Sequence, residues 1–236
     1  MSPPPVVIVA PAELMPWLQQ GLAARYDHPT TVTWQPPGST ETDPAALYLW
    51  VNLTLDEFFI RDARGLRGVD VVLAGEPTLA TQLGWMVAAG GELSALNTVA
   101  PILDAWAPPM PWAWLHAGGP GAGAFAASLY LRWQQQQQSV INWLASDGGH
   151  ADPRNAMQHF DPASWQALAQ QQMSALQADA SSYLEWADDR LYTPYHPRQP
   201  AWQMTMPPST ETNAASEPAQ QLAQLLLAIP PMPTPP

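Results

Sequence analysis

The residues best placed to do chemistry gather around one stretch, Gly118 to Gln134, GGPGAGAFAASLYLRWQ. Gly118, Gly121 and Gly123 are spaced G-x-x-G-x-G, and a glycine-rich turn entering a helix can bring backbone amides up against a ligand. His116 precedes the turn by two residues, and Ser128 and Tyr130 follow it in the helix. An imidazole, a hydroxyl and a phenol are side chains of proton transfer. The helix itself opens Ala124-Phe125-Ala126-Ala127, which offers no acid, base or nucleophile. An unassisted serine is a poor base near neutral pH, so Ser128 reads as structural, and His116 reads as a partly exposed structural histidine.

The rest of the chain supplies little to help. It has eight Arg, no Lys and no Cys. Schiff-base chemistry, a lysine general base, thiol nucleophiles, thiolate metal sites and disulfides are therefore all excluded. His150, His159 and His196 show no ligand spacing and no H-E-x-x-H occurs, so no metal site is expected. Asp188 and Asp189 are adjacent at a helix end, where neighbours point to different faces, and they read as solvated acids. No G-x-S-x-G marks a serine hydrolase. Asn52-Leu53-Thr54 matches the glycosylation triplet but follows no secretion signal, so it reads as chance. Trp106, Trp112 and Trp114 read as core in preference to a sticky surface.

Charge and composition narrow the class of partner. The formal net charge of −12 repels phosphate backbones and anionic lipid. No nucleic-acid or membrane partner is expected, and a cytoplasmic location follows as the default. No run of about eighteen apolar residues exists to span a bilayer. With 47% apolar residues and twelve Trp the chain can bury a sizeable core, while its 28 Pro cluster at the ends.

The elements that must hold these residues follow from periodicity. Val6 to Val9, Thr30 to Trp34, Ala46 to Asn52 and Val69 to Ala74 are short apolar runs of strand length. Helical patterns intervene, the first carrying Leu14, Trp17, Leu18 and Leu22 on one face. Strands alternating with helices predict an α/β fold, a reduced Rossmann-like parallel sheet with flanking helices, followed by a mostly helical C-terminal region. A long helix is expected over 124–146, with Phe125, Leu129, Trp133, Val140 and Leu144 on one stripe and the Gln134 to Gln138 run on a solvated face. Asp161-Pro162 predicts the start of a second long helix running to about Arg190. The chain then turns Pro-rich, apart from Ser216 to Ile229. There Leu222, Leu225, Leu226 and Ile229 repeat at helical spacing, which predicts a short amphipathic helix docking on its own domain or on a partner. The expected domains are 1–123, 124–192 and a tail, 193–236.

Taken together, residues 69 to 133 resemble the 6-phosphogluconate dehydrogenase and β-hydroxyacid dehydrogenase superfamily. Asp70, Gly75, Ala80 and Gly84 stand near the family's strand-end acid and its following Gly and Ala positions. Gly90-Gly91 followed by Pro101-Ile102-Leu103 matches its glycine pair, helix and P-I-L, and Gly118, Gly121 and Gly123 match its G-x-x-G-x-G turn. The resemblance implies an NAD(P)-binding oxidoreductase fold and dimerisation through the helical region.

The departures are specific. Where the family carries a catalytic Lys and, one turn later, an Asn, this chain has Ala127 and Leu131. Where the family's first strand runs into G-x-G-x-x-G, this chain reads Ala10-Pro11-Ala12-Glu13-Leu14-Met15, with Glu13 where phosphate would sit. Gln35-Pro36-Pro37 stands where the adenosine ribose would be held, with neither acid nor Arg. The expectation is a shortened, degenerate homologue, non-catalytic, acting as a binding or scaffolding protein, with no catalytic, cofactor-binding or metal-binding residue. It is expected to form a homodimer through the helical region, with a protein partner on the C-terminal tail. The competing expectation is a surviving oxidoreductase that binds NAD or NADP and uses Tyr130 or His116 as proton donor. In the first view the glycine turn serves close packing of sheet and helix.

Overall fold

The computed structural model describes residues 4–27, 31–39, 43–110, 113–146, 162–187, 190, 192–195 and 217–230. Its six strands are β1 (Val6–Val9), β2 (Val32–Gln35), β3 (Leu47–Val51), β4 (Gly68–Ala74), β5 (Met86–Gly90) and β6 (Trp114–Gly118). They form one sheet in the order β2-β1-β3-β4-β5-β6. The first four are mutually parallel, β5 is antiparallel to β4, and β6 is parallel to β5. The sheet is therefore mostly parallel, as an α/β Rossmann-like fold requires, and its last two strands run the opposite way.

Two apolar layers explain why β1 and β3 read as unbroken hydrophobic runs. Val6 and Ile8 face one layer and Val7 and Val9 the other, and Leu49 and Trp50 divide in the same way. A strand covered on both faces has no polar position to alternate with. The first layer holds α1 (Met15–Arg25) and α4 (Leu93–Trp106), which contribute Leu18, Leu22, Leu96, Ile102 and Trp106. The second holds α2 (Leu55–Asp62), α5 (Ala122–Ser146), α6 (Pro162–Ala187) and α7 (Pro218–Ala228), through Phe58, Phe125, Tyr183 and Ala223 among others. A short helix α3 (Pro77–Leu83) joins β4 to β5.

Several expectations shift in detail. Trp106 and Trp114 are buried, as expected of core. The Gln run is exposed on α5. Trp133, expected on the apolar stripe with Phe125, is 52% exposed, because α5 has by then run past the cover of the sheet. The tail helix does dock, but of the four expected residues only Leu226 takes part. Ala219 and Ala223 are buried and Leu226 packs beside them, whereas Leu222, Leu225 and Ile229 are exposed. Small residues allow close approach to α6, and the stripe at 222, 225 and 229 falls on the adjoining face. Glu217 is the helix N-cap residue. Thr30, Trp112, His150, His159, Asp161, Asp188, Asp189, His196 and Ser216 lie outside the described residues, as do the side chains of Val140 and Leu144.

Candidate functional site

A cavity of about 440 Å³ opens at the carboxyl ends of the parallel strands. Val9 of β1, Val51 of β3 and Leu73 of β4 form part of its wall, with Pro37 arriving from the end of β2. Chain order reverses between β1 and β3, and a crevice at such a switch point is where open α/β sheets bind ligands. Asn52 marks the spot. Its backbone is left-handed, φ 53°. Its amide bridges to the neighbouring strand, accepting from Leu73 N–H at 2.7 Å and donating to Leu73 C=O at 3.3 Å. The asparagine of the N-x-T triplet thus holds β3 to β4 where the strands open into the cleft. Thr54 caps α2 in a reciprocal box with Glu57, whose carboxylate accepts from Thr54 N–H at 2.9 Å.

The side chains around the cleft decide what it can hold. Glu13, Glu57 and Glu76 line it, and among the described residues no Arg or His does. Tyr130 and Leu131 of α5 also line it, with the Tyr130 hydroxyl accepting from Gln134 at 2.8 Å and from Gly75 N–H at 3.4 Å. Ala127 is fully buried. Ser128 is buried too, and its hydroxyl accepts from Leu55 N–H at 2.9 Å, a structural bond at the start of α2.

An NAD or NADP pyrophosphate needs free amides at the entry to α1. Here Leu14 N–H and Met15 N–H both donate to Pro11 C=O, at 3.0 and 3.1 Å. Pro16 in the first turn has no N–H to give. The remaining charge at that entrance is the Glu13 carboxylate. These residues do not fit a dinucleotide phosphate, so no hydride-transfer step is assigned to the cleft.

The glycine turn faces inward. Asp70, on β4, is completely buried, and its carboxylate accepts from Gly121 N–H at 3.0 Å and Ala124 N–H at 2.8 Å. Burial pushes the Asp70 carboxyl up to about 7, against the pull of the amides it accepts from. Gly121 has φ 90°, a conformation that costs any residue with a Cβ. At Gly123 a Cβ would lie 2.0 Å from the Asp70 carbonyl oxygen. The turn therefore seats α5 directly on β4, in agreement with the packing role expected for it.

The tail closes the other side of the turn. Glu217, 1% exposed, accepts from Gly119 N–H at 2.8 Å and from the Tyr183 hydroxyl. Burial beside that carboxylate raises the Tyr183 phenol. Arg190 donates to Pro120 C=O at 2.8 Å and lies over the Trp186 ring. His116 differs from expectation, because at 3% exposure it is buried. Its Nδ1 accepts from Tyr195 N–H at 3.0 Å, which places its proton on Nε2, and burial lowers its pKa. His116 does not line the cleft, where Tyr130 does.

Sequence reasoning had flagged Glu13, Tyr130 and Leu131, which the cleft does bring together. It did not flag Glu57, Glu76 or Glu217. The T-x-x-E spacing of Thr54 and Glu57 was a usable signal for the first. Nothing in the local sequence marks Glu217 as buried. Among the described residues no group of His, Cys, Asp and Glu could hold a metal ion, and no helix is long and apolar enough to cross a membrane.

No protein-family model matches the chain, and no curated protein does. Solved structures that it is similar to include a 3-hydroxyisobutyrate dehydrogenase from Mycobacterium tuberculosis with L-serine, at 14% identity and TM-score 0.37, covering 64% of this chain and 68% of that one. Another is an imine reductase variant from Myxococcus stipitatus in complex with NAD+, at 13% identity and TM-score 0.39, covering 86% and 91%. A third is an imine reductase from Pseudomonas sp., at 12% identity and TM-score 0.42, covering 79% and 87%. At identities and TM-scores this low, nothing about ligand or activity is taken from the likeness.

Proposed function

We propose that this chain is a non-catalytic binding protein on a reduced, dehydrogenase-like α/β scaffold, with the strand-end cleft as its ligand site. The observation that carries this is the state of the α1 entry. The Leu14 and Met15 amides are bonded to Pro11, Pro16 has none to give, and Glu13 lines the opening. Catalysis is disfavoured independently. Ala127 stands buried where the resemblance puts a catalytic lysine, and a chain without Lys cannot supply one from elsewhere.

The helical region and the tail serve as protein contact surfaces in this proposal. Trp133 and Ile141 are exposed on the outer half of α5 and support a homodimer through that helix. Exposed Leu222, Leu225 and Ile229 on α7 support a protein partner on the tail. A second reading, an NAD(P)-dependent oxidoreductase acting on a hydroxyacid-like substrate, retains one candidate donor, because Tyr130 lines the cleft.

Thermal melting with NAD or NADP tests the choice. A nucleotide bound near micromolar affinity stabilises the fold by about 4 kcal/mol at millimolar excess. No shift is expected with either nucleotide, and no reduction of nicotinamide with a panel of hydroxyacids. A saturable shift together with turnover would establish the oxidoreductase instead.

A further inference from the structure

We propose that the strand-end cleft binds a small organic cation, an ammonium group carried on an apolar or aromatic body. This deepens the binding role proposed above and rests on it. The cavity, at about 440 Å³, is at the small end of the range of about 300–1,000 Å³ typical of ligand sites, so it suits a compact molecule better than a dinucleotide. Val51, Leu73 and Trp85 give it apolar and aromatic wall.

Its charge has one sign. Glu13 comes from the β1–α1 connection, Glu57 from α2 and Glu76 from the β4–α3 connection, so three separate segments deliver carboxylates to one cavity. Among the described residues, none of the three makes an ion pair. Arg132 is committed to Asp179 at 2.7 Å, Arg25 to Ala107 C=O at 3.0 Å, and Arg190 to Pro120 C=O. The carboxylates of Glu57 and Glu76 accept from Thr54 and Thr78, and three acidic residues with no described cation in the lining bias the opening toward negative potential. That potential favours a cation over an anion and is indifferent to a neutral ligand. The apolar wall then favours an amine with a hydrocarbon body over a bare metal ion, which would seek a compact oxygen cage.

The test uses the full chain and three molecules of one shape: 2-phenylethylamine, 2-phenylethanol and phenylacetate. Calorimetric titration is expected to show saturable binding of the amine alone, weakening as sodium chloride is raised. Replacing the two exposed cleft acids, Glu13→Gln with Glu76→Gln, is expected to weaken amine binding about tenfold. Glu92→Gln with Glu185→Gln removes the same charge from exposed positions outside the cleft, and is expected to leave binding unchanged.

Equal binding of the alcohol, preferred binding of the carboxylate, or equal loss in both double variants would overturn the proposal. NADP is titrated alongside. No response to the amine and none to NADP would reject the cation while leaving the non-catalytic reading in place. Saturable NADP binding would reject both.

Discussion

Replacing Gly123 with alanine adds one carbon at the closest approach among the described glycines. The new Cβ would stand 2.0 Å from the Asp70 carbonyl oxygen, where ordinary contact begins at 3.4 Å. The obstacle is backbone, so α5 must back away by roughly 1.4 Å, the difference between those distances. Its amide bonds to the Asp70 carboxylate, now 3.0 and 2.8 Å from Gly121 and Ala124, would stretch beyond hydrogen-bonding range. Overpacking costs about 1–3 kcal/mol, and each lost bond to a charged, buried acceptor about 1.5–3 kcal/mol. Alanine returns about 1 kcal/mol of helix propensity. The net expected loss is about 3–8 kcal/mol, a large share of the 5–15 kcal/mol typical of a whole domain.

Two other glycines calibrate that figure. Gly38 has φ 83° and nothing within 4 Å of a new Cβ, so its alanine variant is expected to lose only about 1 kcal/mol from backbone strain. Gly21 lies inside α1 with Trp106 at an ordinary 3.6 Å, and its alanine variant is expected to gain up to about 1 kcal/mol. Urea unfolding followed by tryptophan fluorescence and circular dichroism reads all three. A Gly123→Ala loss no larger than that of Gly38→Ala would refute the close-packing account of the turn.

Asp70, raised from 3.8 to about 7 by burial, binds its proton more tightly folded than unfolded, so its contribution to stability is present below about pH 4 and lost as pH rises towards 7. The loss is on the order of 4 kcal/mol. Subtracting the pH profile of Asp70→Asn isolates it from the opposite slope of His116, whose pKa burial lowers; superimposable profiles would contradict the assignment. Ala127→Lys with Leu131→Asn is expected to give no hydroxyacid turnover and to destabilise the fold, because position 127 is fully buried; measurable turnover would mean that a cofactor site survives. On the tail, Ala223→Asp is expected to undock α7 and expose it to protease, while Leu225→Ser, at a position 65% exposed, changes neither protection nor melting temperature. Equal protease sensitivity of the two variants would reject the docking contacts.

What the sequence disclosed follows from how each element earns its stability. The buried parallel strands β1, β3 and β4 were legible because both faces are covered, leaving continuous runs such as Val6 to Val9. Strands β5 and β6 were not. Met86-Val-Ala-Ala-Gly and Trp114-Leu-His-Ala-Gly are rich in Ala and Gly, which lack strand propensity. They are strands because the helices of both layers hold them there. The tail helix was legible from its leucines, yet Leu222 and Leu225 are exposed while two alanines and Leu226 dock, because amphipathic period does not say which of two adjoining faces meets a crowded partner. At the cleft, the missing glycines and Glu13 were visible as local departures. The convergence of Glu57 and Glu76 was not, since it depends on where α2 and the β4–α3 connection cross the strand ends.

On the reading proposed above, the cleft keeps its place at the strand ends and does not hold nicotinamide dinucleotides. Calorimetric titration of NADP into the full chain measures this directly. No saturable heat up to millimolar nucleotide is the expected result, because the Leu14 and Met15 amides are already bonded and three acidic residues line the opening. Saturable binding with a Kd of about 10 μM or tighter, equivalent to roughly −7 kcal/mol, would contradict it.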